Sequence, residues 1–252
     1  MAMEARRLGA AKHGRVLDLP PPYRLVSLRE VGDAFAHAQS IASESGAGTL
    51  VYVGRFDLAE FAVVLEPDEP LRLARRAFLA ACTALGDAIL AEAPPEKPVT
   101  FDWPDAVRVD GGLVGGARLA WPQGATDDEP PDWLVFGAMI RTVAMGDEEP
   151  GVRPLTATLE EEGFDDPGSD RMVESFARHL MSVLHTWHER GFAEVARLYM
   201  ARLAMEKGAS GEIAENGDLL IKRGTTAAER RSLVHALAAP SWFDAATGGP
   251  RR

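Results

Sequence analysis

Cysteine is almost missing from this sequence: among 252 residues only Cys82 is one. No intrachain disulfide can form, and nothing points to an oxidising compartment. Lysine is nearly as scarce, being limited to Lys12, Lys97, Lys207 and Lys222, and Asn216 is the single asparagine. Any chemistry that needs a lysine between positions 98 and 206, or an asparagine before 216, is therefore excluded. Positive charge is in deficit as a whole. With 27 Lys plus Arg against 38 Asp plus Glu, the formal charge is -11, which argues against a nucleic-acid backbone or an anionic membrane as the main partner. No segment approaches about 18 uninterrupted apolar residues, and the basic start MAMEARRLGAAKHGRV lacks an apolar stretch of roughly 7 to 15. Neither a membrane span nor a signal peptide is expected, and the cytoplasm is the default location.

What is present is enough for a sizeable core. The hydrophobic set makes up 46% of the chain and charged residues 26%, and a chain of this length buries roughly 70 to 75% of its unfolded surface without a disulfide or structural metal. Asp33 can cap a helix that stops at Gly46. TLVYV (Thr49–Val53) and FAVVL (Phe61–Leu65) are rich in strand formers and close enough in sequence to pair. From Leu71 to Leu90 the apolar residues, Cys82 among them, follow the helical period up to Pro94 and Pro95. VTF, AVRV, LVGGARLAW and WLVFGAMIRTV form four successive strands whose tight links predict antiparallel pairing. Helices are expected over Arg171–Glu189 and from Phe192 to about Met205, and Asn216-Gly217 predicts a type I′ hairpin. A short amphipathic helix, Ala227–Leu237, and a Gly/Pro/Arg tail complete the chain.

Generic chemical signatures are mostly negative. There is no phosphate-binding glycine loop, CxxC pair, HExxH or GxSxG. His179, His185 and His188 have metal-like spacing on one helix, but the apolar stripe beside them and the lack of a further ligand favour a structural role. Cys82 lies mid-helix on the core-facing stripe, away from any helix N-terminus that would activate a thiol. The acidic clusters Asp127-Asp128-Glu129, Asp147-Glu148-Glu149 and Glu160-Glu161-Glu162 fit solvated loops or helix starts.

Several strings taken in order resemble the biotin/lipoate protein ligase family. TFDWPDAVRVDGGLVGGARLAW (Thr100–Trp121) resembles the family pattern WPNDhhhxxxKhxGhhh, with h apolar, and WLVFGAMIRTV (Trp133–Val143) the following hhhGhGhNh strand. TWHERGFAEVARLYMARL (Thr186–Leu203) is similar to the closing helices, and GEIAENGDLLIKR (Gly211–Arg223) to a small C-terminal domain. The resemblance spans about Tyr23 to Arg223 and is to a divergent subgroup with a short extra C-terminal domain. It implies an α/β (α+β) fold: a mixed, mainly antiparallel sheet with helices packed on one side, and a small β-rich C-terminal domain. The corresponding division is an extension at 1–22, the ligase-like domain at 23–206 and the small domain at 207–252. It also implies activation of biotin, lipoate or a related acid as an acyl adenylate, followed by transfer to a carrier-domain lysine.

The family's charged equipment does not carry over residue by residue. The lysine that contacts acid and α-phosphate falls on Leu113, or on Gly112 with a one-residue shift, and Lys97 and Lys207 are the nearest lysines. The early Ser-Thr-Asn string falls near Glu30-Val31-Gly32, and the arginine-rich adenylate loop is reduced to GRFDLAE (Gly54–Glu60), with Arg55 alone. Since phosphate clamping is electrostatic, each lost donor removes on the order of 2 to 4 kcal/mol of transition-state stabilisation. ATP is not expected as a cofactor. The candidate ligand-binding residues are Arg55, Trp103, Asp105, Gly115, Gly116, Arg118, Gly137 and Arg141. Asp105, Arg118 and Arg141 either share one cleft able to hold an acid or amide, or form ordinary ion pairs across adjacent strands. The partners this predicts are a small carboxylic acid of the biotin, lipoate or octanoate kind or a biotinyl/lipoyl-type carrier domain, with a homodimer left open. The alternatives are a binding protein that no longer adenylates and a transferase that accepts a preactivated acyl group; a repressor is disfavoured by charge and by the missing DNA-binding module.

Overall fold

The structure, a computed structural model, describes residues 17–145, 155–224 and 227–251. The first sixteen residues of the N-terminal extension and the cluster Asp147-Glu148-Glu149 lie outside them. Sequence periodicity did not reveal the first strand, β1 (Arg24–Leu28), because RLVSL is a short, half-exposed edge with little alternation. It runs parallel to β2 (Thr49–Val53). Parallel neighbours need a crossover, and α1 (Ala34–Ser45) supplies it, with Asp33 Oδ1 accepting from Ala36 N at 2.8 Å and Gly46 at its end. β3 (Leu58–Leu65) returns antiparallel to β2 and starts three residues before the expected Phe61.

From β3 the chain crosses to the far edge of the sheet through α2 (Leu71–Ala74) and α3 (Ala77–Leu90). The continuous helix expected here breaks at Arg75 and Arg76. Around that point Arg76, Phe78 and Leu79 donate to carbonyls three residues back, while the two guanidiniums pair with Asp127 and Glu69. Beyond it, α3 is apolar on nearly every side, as a helix enclosed by other layers should be. β4 (Val99–Asp102), β5 (Ala106–Val109), β6 (Gly112–Ala120) and β7 (Leu134–Arg141) then march back as antiparallel neighbours, and β7 closes onto β3. The sheet order is β1-β2-β3-β7-β6-β5-β4, mixed but mainly antiparallel.

α4 (Ser169–Arg190) matches the expected helix, whereas α5 (Phe192–Met200) stops before Met205. The chain leaves α5 to bond β4: Phe101 N donates to Arg202 O and Ala204 N to Phe101 O. A three-stranded sheet follows, from β8 (Ala209–Ile213), β9 (Leu219–Arg223) and β10 (Glu229–Arg231). The β8–β9 hairpin forms, but not through a type I′ turn, which needs positive φ at both central residues. Only Gly217 has it, with φ 88, and Gly217 N bonds Ala214 O. The expected helix over Ala227–Leu237 is instead β10 followed by the short α6 (Leu233–Leu237). Ser232 caps α6, and the Asp218 carboxylate takes both Leu233 N and the Arg230 guanidinium, fixing the extended-to-helical switch between them.

Alternation along the strands divides the two faces of the large sheet. Phe61, Val63, Phe136, Ala138 and Ile140 face α3, α4 and α5 in the main core. Ala62, Val64 and Val135 face the opposite way, against Ala34, Ala38 and Ala42 of α1. This differs from the resemblance's one-sided packing, because the β1–α1–β2 crossover lays its helix on the other face. The rest of that face, Leu58, Ala106, Leu113 and Met139, is covered by Trp242 and Phe243. The segment read as a Gly/Pro/Arg tail is therefore structured: β11 (Phe243–Asp244) and β12 (Gly249–Pro250) form a small hairpin docked on the sheet. Among the described residues no helix is long and apolar enough to cross a membrane.

Candidate functional site

The sheet face shared by α1 and the C-terminal hairpin gathers most of the polar positions named above, and the strand register explains why. Glu60, Met139, Gly116 and Ala106 are successive partners across β3, β7, β6 and β5. Ala62, Gly137 and Arg118 form the next row, and Leu58 pairs with Arg141 on the other side. A bulge in the β5–β6 pairing lets Leu113 and Gly116, three residues apart, both pack towards Trp242.

At one end lies the start of α1. Phe35 sits over Gly137, where a Cβ would come within 2.5 Å of its ring. Glu60, 3% exposed, accepts from Ala34 N at 2.9 Å and so satisfies an orphan donor of the helix. Burial pushes the Glu60 carboxyl up, Asp33 adds to that, and the Ala34 bond, Arg55 and Arg118 oppose it. The Arg118 guanidinium lies over the Phe35 and Phe243 rings, 4.4 and 4.3 Å from their centroids. Its side chain is 15% exposed and its nearest carboxylate, Asp33, is 4.0 Å away. Among the described residues it makes no hydrogen bond. Burial pulls its pKa down, and Asp33 and Glu60 oppose that shift.

At the other end, Gly116 gives room to Trp242: a Cβ there would lie 2.3 Å from the indole Cδ1 and 2.3 Å from Asp105 O. The indole is 1% exposed and its Nε1 donates to Ala117 O at 3.0 Å. Asp105 accepts from Ser241 N at 3.0 Å and Ser241 Oγ at 2.8 Å. Burial raises its carboxyl from 3.8 to about 6, and the Ser241 bonds oppose the rise. Arg141 donates to Leu113 O, to Pro250 O at 2.7 Å and to Arg251 O.

Asp105, Gly116, Arg118, Gly137 and Arg141 are thus on or beside one sheet face. The three charged residues do not converge as a bare polar group, because Asp105 and Arg141 are engaged by the C-terminal segment and Arg118 is covered by Phe243. The other candidates lie apart from this arrangement. Arg55 forms a two-pronged pair with Asp57, at 3.1 and 2.7 Å. Gly115 abuts the Met139 carbonyl, and Trp103 packs edge-on against Tyr199 at the main core. Cys82 is buried in that core, and desolvation raises its pKa well above the usual range. Among the described residues no group of three or more His, Cys, Asp or Glu is placed to hold a metal ion. Reasoning from sequence missed Phe35, Glu60, Ser241, Trp242 and Phe243. The only signal for the last two was an aromatic pair inside a segment otherwise made of turn formers.

Residues 19–201 match the model of the biotin/lipoate A/B protein ligase family, which covers more than half of the chain. A search of curated proteins finds no match. Among solved structures, a biotin protein ligase-like protein of unknown function from Silicibacter sp. TM1040 is 28% identical, with a TM-score of 0.74, covering 87% of this chain and 98% of that one. The apo biotin protein ligase of Aquifex aeolicus has a TM-score of 0.65 at 17% identity, covering 83% and 95% of the two chains. The same enzyme in complex with biotin and ATP has a TM-score of 0.58 at 17% identity, covering 82% and 94%. At that identity these two establish a common fold, while the family match extends over both faces of the sheet and the helices that flank them, so that the chain belongs to the biotin/lipoate A/B protein ligase family.

Proposed function

We propose that this protein binds a small carboxylic acid of the biotin, lipoate or octanoate kind, free or carried on a biotinyl/lipoyl-type domain, without converting it to an acyl adenylate. Arg118 is the observation that carries this reading. Its guanidinium lies over two rings with no hydrogen bond among the described residues, so its donors remain for a carboxylate, which an arginine fork matches in shape and charge. The Aquifex structure holds biotin and ATP on the same fold, which supports an acid as the ligand class.

The absence of adenylation rests on two local features. Leu113, at the position matched to the family lysine, is buried in the cluster under Trp242 and supplies no charge. The connection from β2 to β3 spans only Gly54–Asp57, and its one arginine is already paired with Asp57. These residues do not fit a nucleoside triphosphate. Calorimetry with biotin, lipoate, octanoate and acylated carrier domains tests the reading, with a pyrophosphate-release assay in the presence of ATP and each acid. Binding without pyrophosphate release is expected. Turnover of ATP, or silent titrations throughout, would overturn it. Arg118 also favours a second reading, in which it holds the oxyanion while a carrier lysine displaces the thiol of an acyl thioester. A mass increase of the carrier by one acyl group identifies that reaction.

A further inference from the structure

We infer that the C-terminal segment Ser241–Arg251 is a tethered plug of the acid-binding cleft, and that it swings out as a unit to admit a ligand. The inference rests on the acid-binding reading for the cleft's purpose, and on the geometry alone for the plug. Trp242 fills the space that Gly116 leaves open, against Leu58, Ala106, Leu113 and Met139. Its indole N–H takes the Ala117 carbonyl, an acceptor that a ligand's own N–H or hydroxyl would otherwise reach. Phe243 covers one face of Arg118, Ser241 occupies both oxygens of Asp105, and Arg141 clasps the carbonyls of Pro250 and Arg251. The segment thus engages Asp105, Arg118 and Arg141, while Glu60 on the same face is held by the start of α1.

Its manner of attachment makes it separable. The backbone hydrogen bonds of the segment close on itself, through the β11–β12 pair, Gly248 N to Asp244 O and Arg251 N to Trp242 O. Among the described residues every hydrogen bond from it to the large sheet uses a side chain: Ser241 to Asp105, Trp242 to Ala117 and Arg141 to the last two carbonyls. Among the described residues no β-ladder ties it to the large sheet, so its withdrawal breaks no pairing of that sheet, unlike removal of any of the sheet's strands. Ala239 and Pro240, between α6 and Ser241, are where the chain would turn.

Exchange of the Trp242 indole N–H in the full chain, followed by NMR against the backbone amides of β6 and β7, tests the plug without any ligand. The resonance is assigned as the one lost in Trp242→Phe. Exchange at least 100-fold faster than the strand amides, and insensitive to low urea, is expected of local opening. Exchange that coincides with the strand amides would show that the segment leaves only on global unfolding and would overturn the inference. Titrations of biotin, lipoate and octanoate into the wild-type protein and Trp242→Ala add the functional arm. The variant should bind the responding acid at least tenfold more tightly, and the acid should speed exchange of the remaining segment amides in the wild type. Equal affinity, with the indole still protected in the complex, would refute plugging. Should Trp242→Ala not fold, Ser241→Ala, which removes the hydroxyl bond to Asp105 and leaves the backbone one, takes its place in the titration: tighter binding than wild type is expected, and equal affinity would refute plugging. Silent titrations together with fast indole exchange would sink the acid reading and leave the mobile plug standing.

Discussion

Asp105 offers the most quantitative test of how this sheet face is built, because the residue is 2% exposed and its carboxylate accepts from the N–H and hydroxyl of Ser241. Burial is the larger influence and lifts its pKa from 3.8 to about 6, with a smaller push from Asp102. A carboxyl whose pKa is higher folded than unfolded binds more protons in the native state. Its neutral form is therefore tolerated at low pH, and stability falls as pH rises from about 4 through about 6. The gap between 3.8 and about 6 corresponds to about 3 kcal/mol in all, of which about 2 kcal/mol is lost between pH 4.5 and 7. Asp105→Asn removes the titration while keeping an acceptor for Ser241. Urea unfolding of both proteins at pH 4.5, 5.5, 6.5 and 7.5 should show the variant gaining on the wild type by about 2 kcal/mol from the lowest to neutral pH. That equals roughly 0.7 M in midpoint for an m-value near 3 kcal/mol/M. A stability difference that stays constant with pH, or that turns against the variant as pH rises, would refute the assignment of a buried, destabilising charge at this position.

Further outcomes follow from single contacts. Arg118→Met should abolish calorimetric binding of whichever acid the wild-type protein takes, and Arg118→Lys should not restore it, since an ammonium lacks the planar two-pronged fork that matches a carboxylate. Gly137→Ala should destabilise by about 1 to 3 kcal/mol in denaturant titration, because the new methyl meets the Phe35 ring and α1 must lift. Asp33→Ala should cost about 1 kcal/mol through the lost cap on Ala36 N. Cys82 should stay inert to a thiol reagent in native buffer and react stoichiometrically in denaturant, burial and a raised pKa acting together; rapid labelling of the folded protein would contradict its placement in the core.

The order of elements was largely legible from local pattern. Period-2 and period-3.6 spacing marked β2 to β7, α1, α3 and α4, and the cap at Asp33 and the stop at Gly46 emerged as expected. Local pattern failed where a distant contact sets the backbone. β1 exists because β2 pairs with it, α5 ends early because Arg202 and Ala204 bond β4, and the 227–237 stretch divides because Asp218 takes Leu233 N. The family resemblance pointed to Asp105, Gly116, Arg118, Gly137 and Arg141, and strand register placed them on or beside one sheet face. Register could not disclose what covers them.

By itself the sequence determined the strand-rich scaffold, the family resemblance and the shortage of lysines, all properties of near neighbours or of plain composition. Only the tertiary structure decided that Trp242 lies beneath the surface, 125 residues along the chain from the carbonyl it bonds. A burial of that kind depends on a gap opposite Gly116 that four separate strands create, and no run of adjacent residues records it.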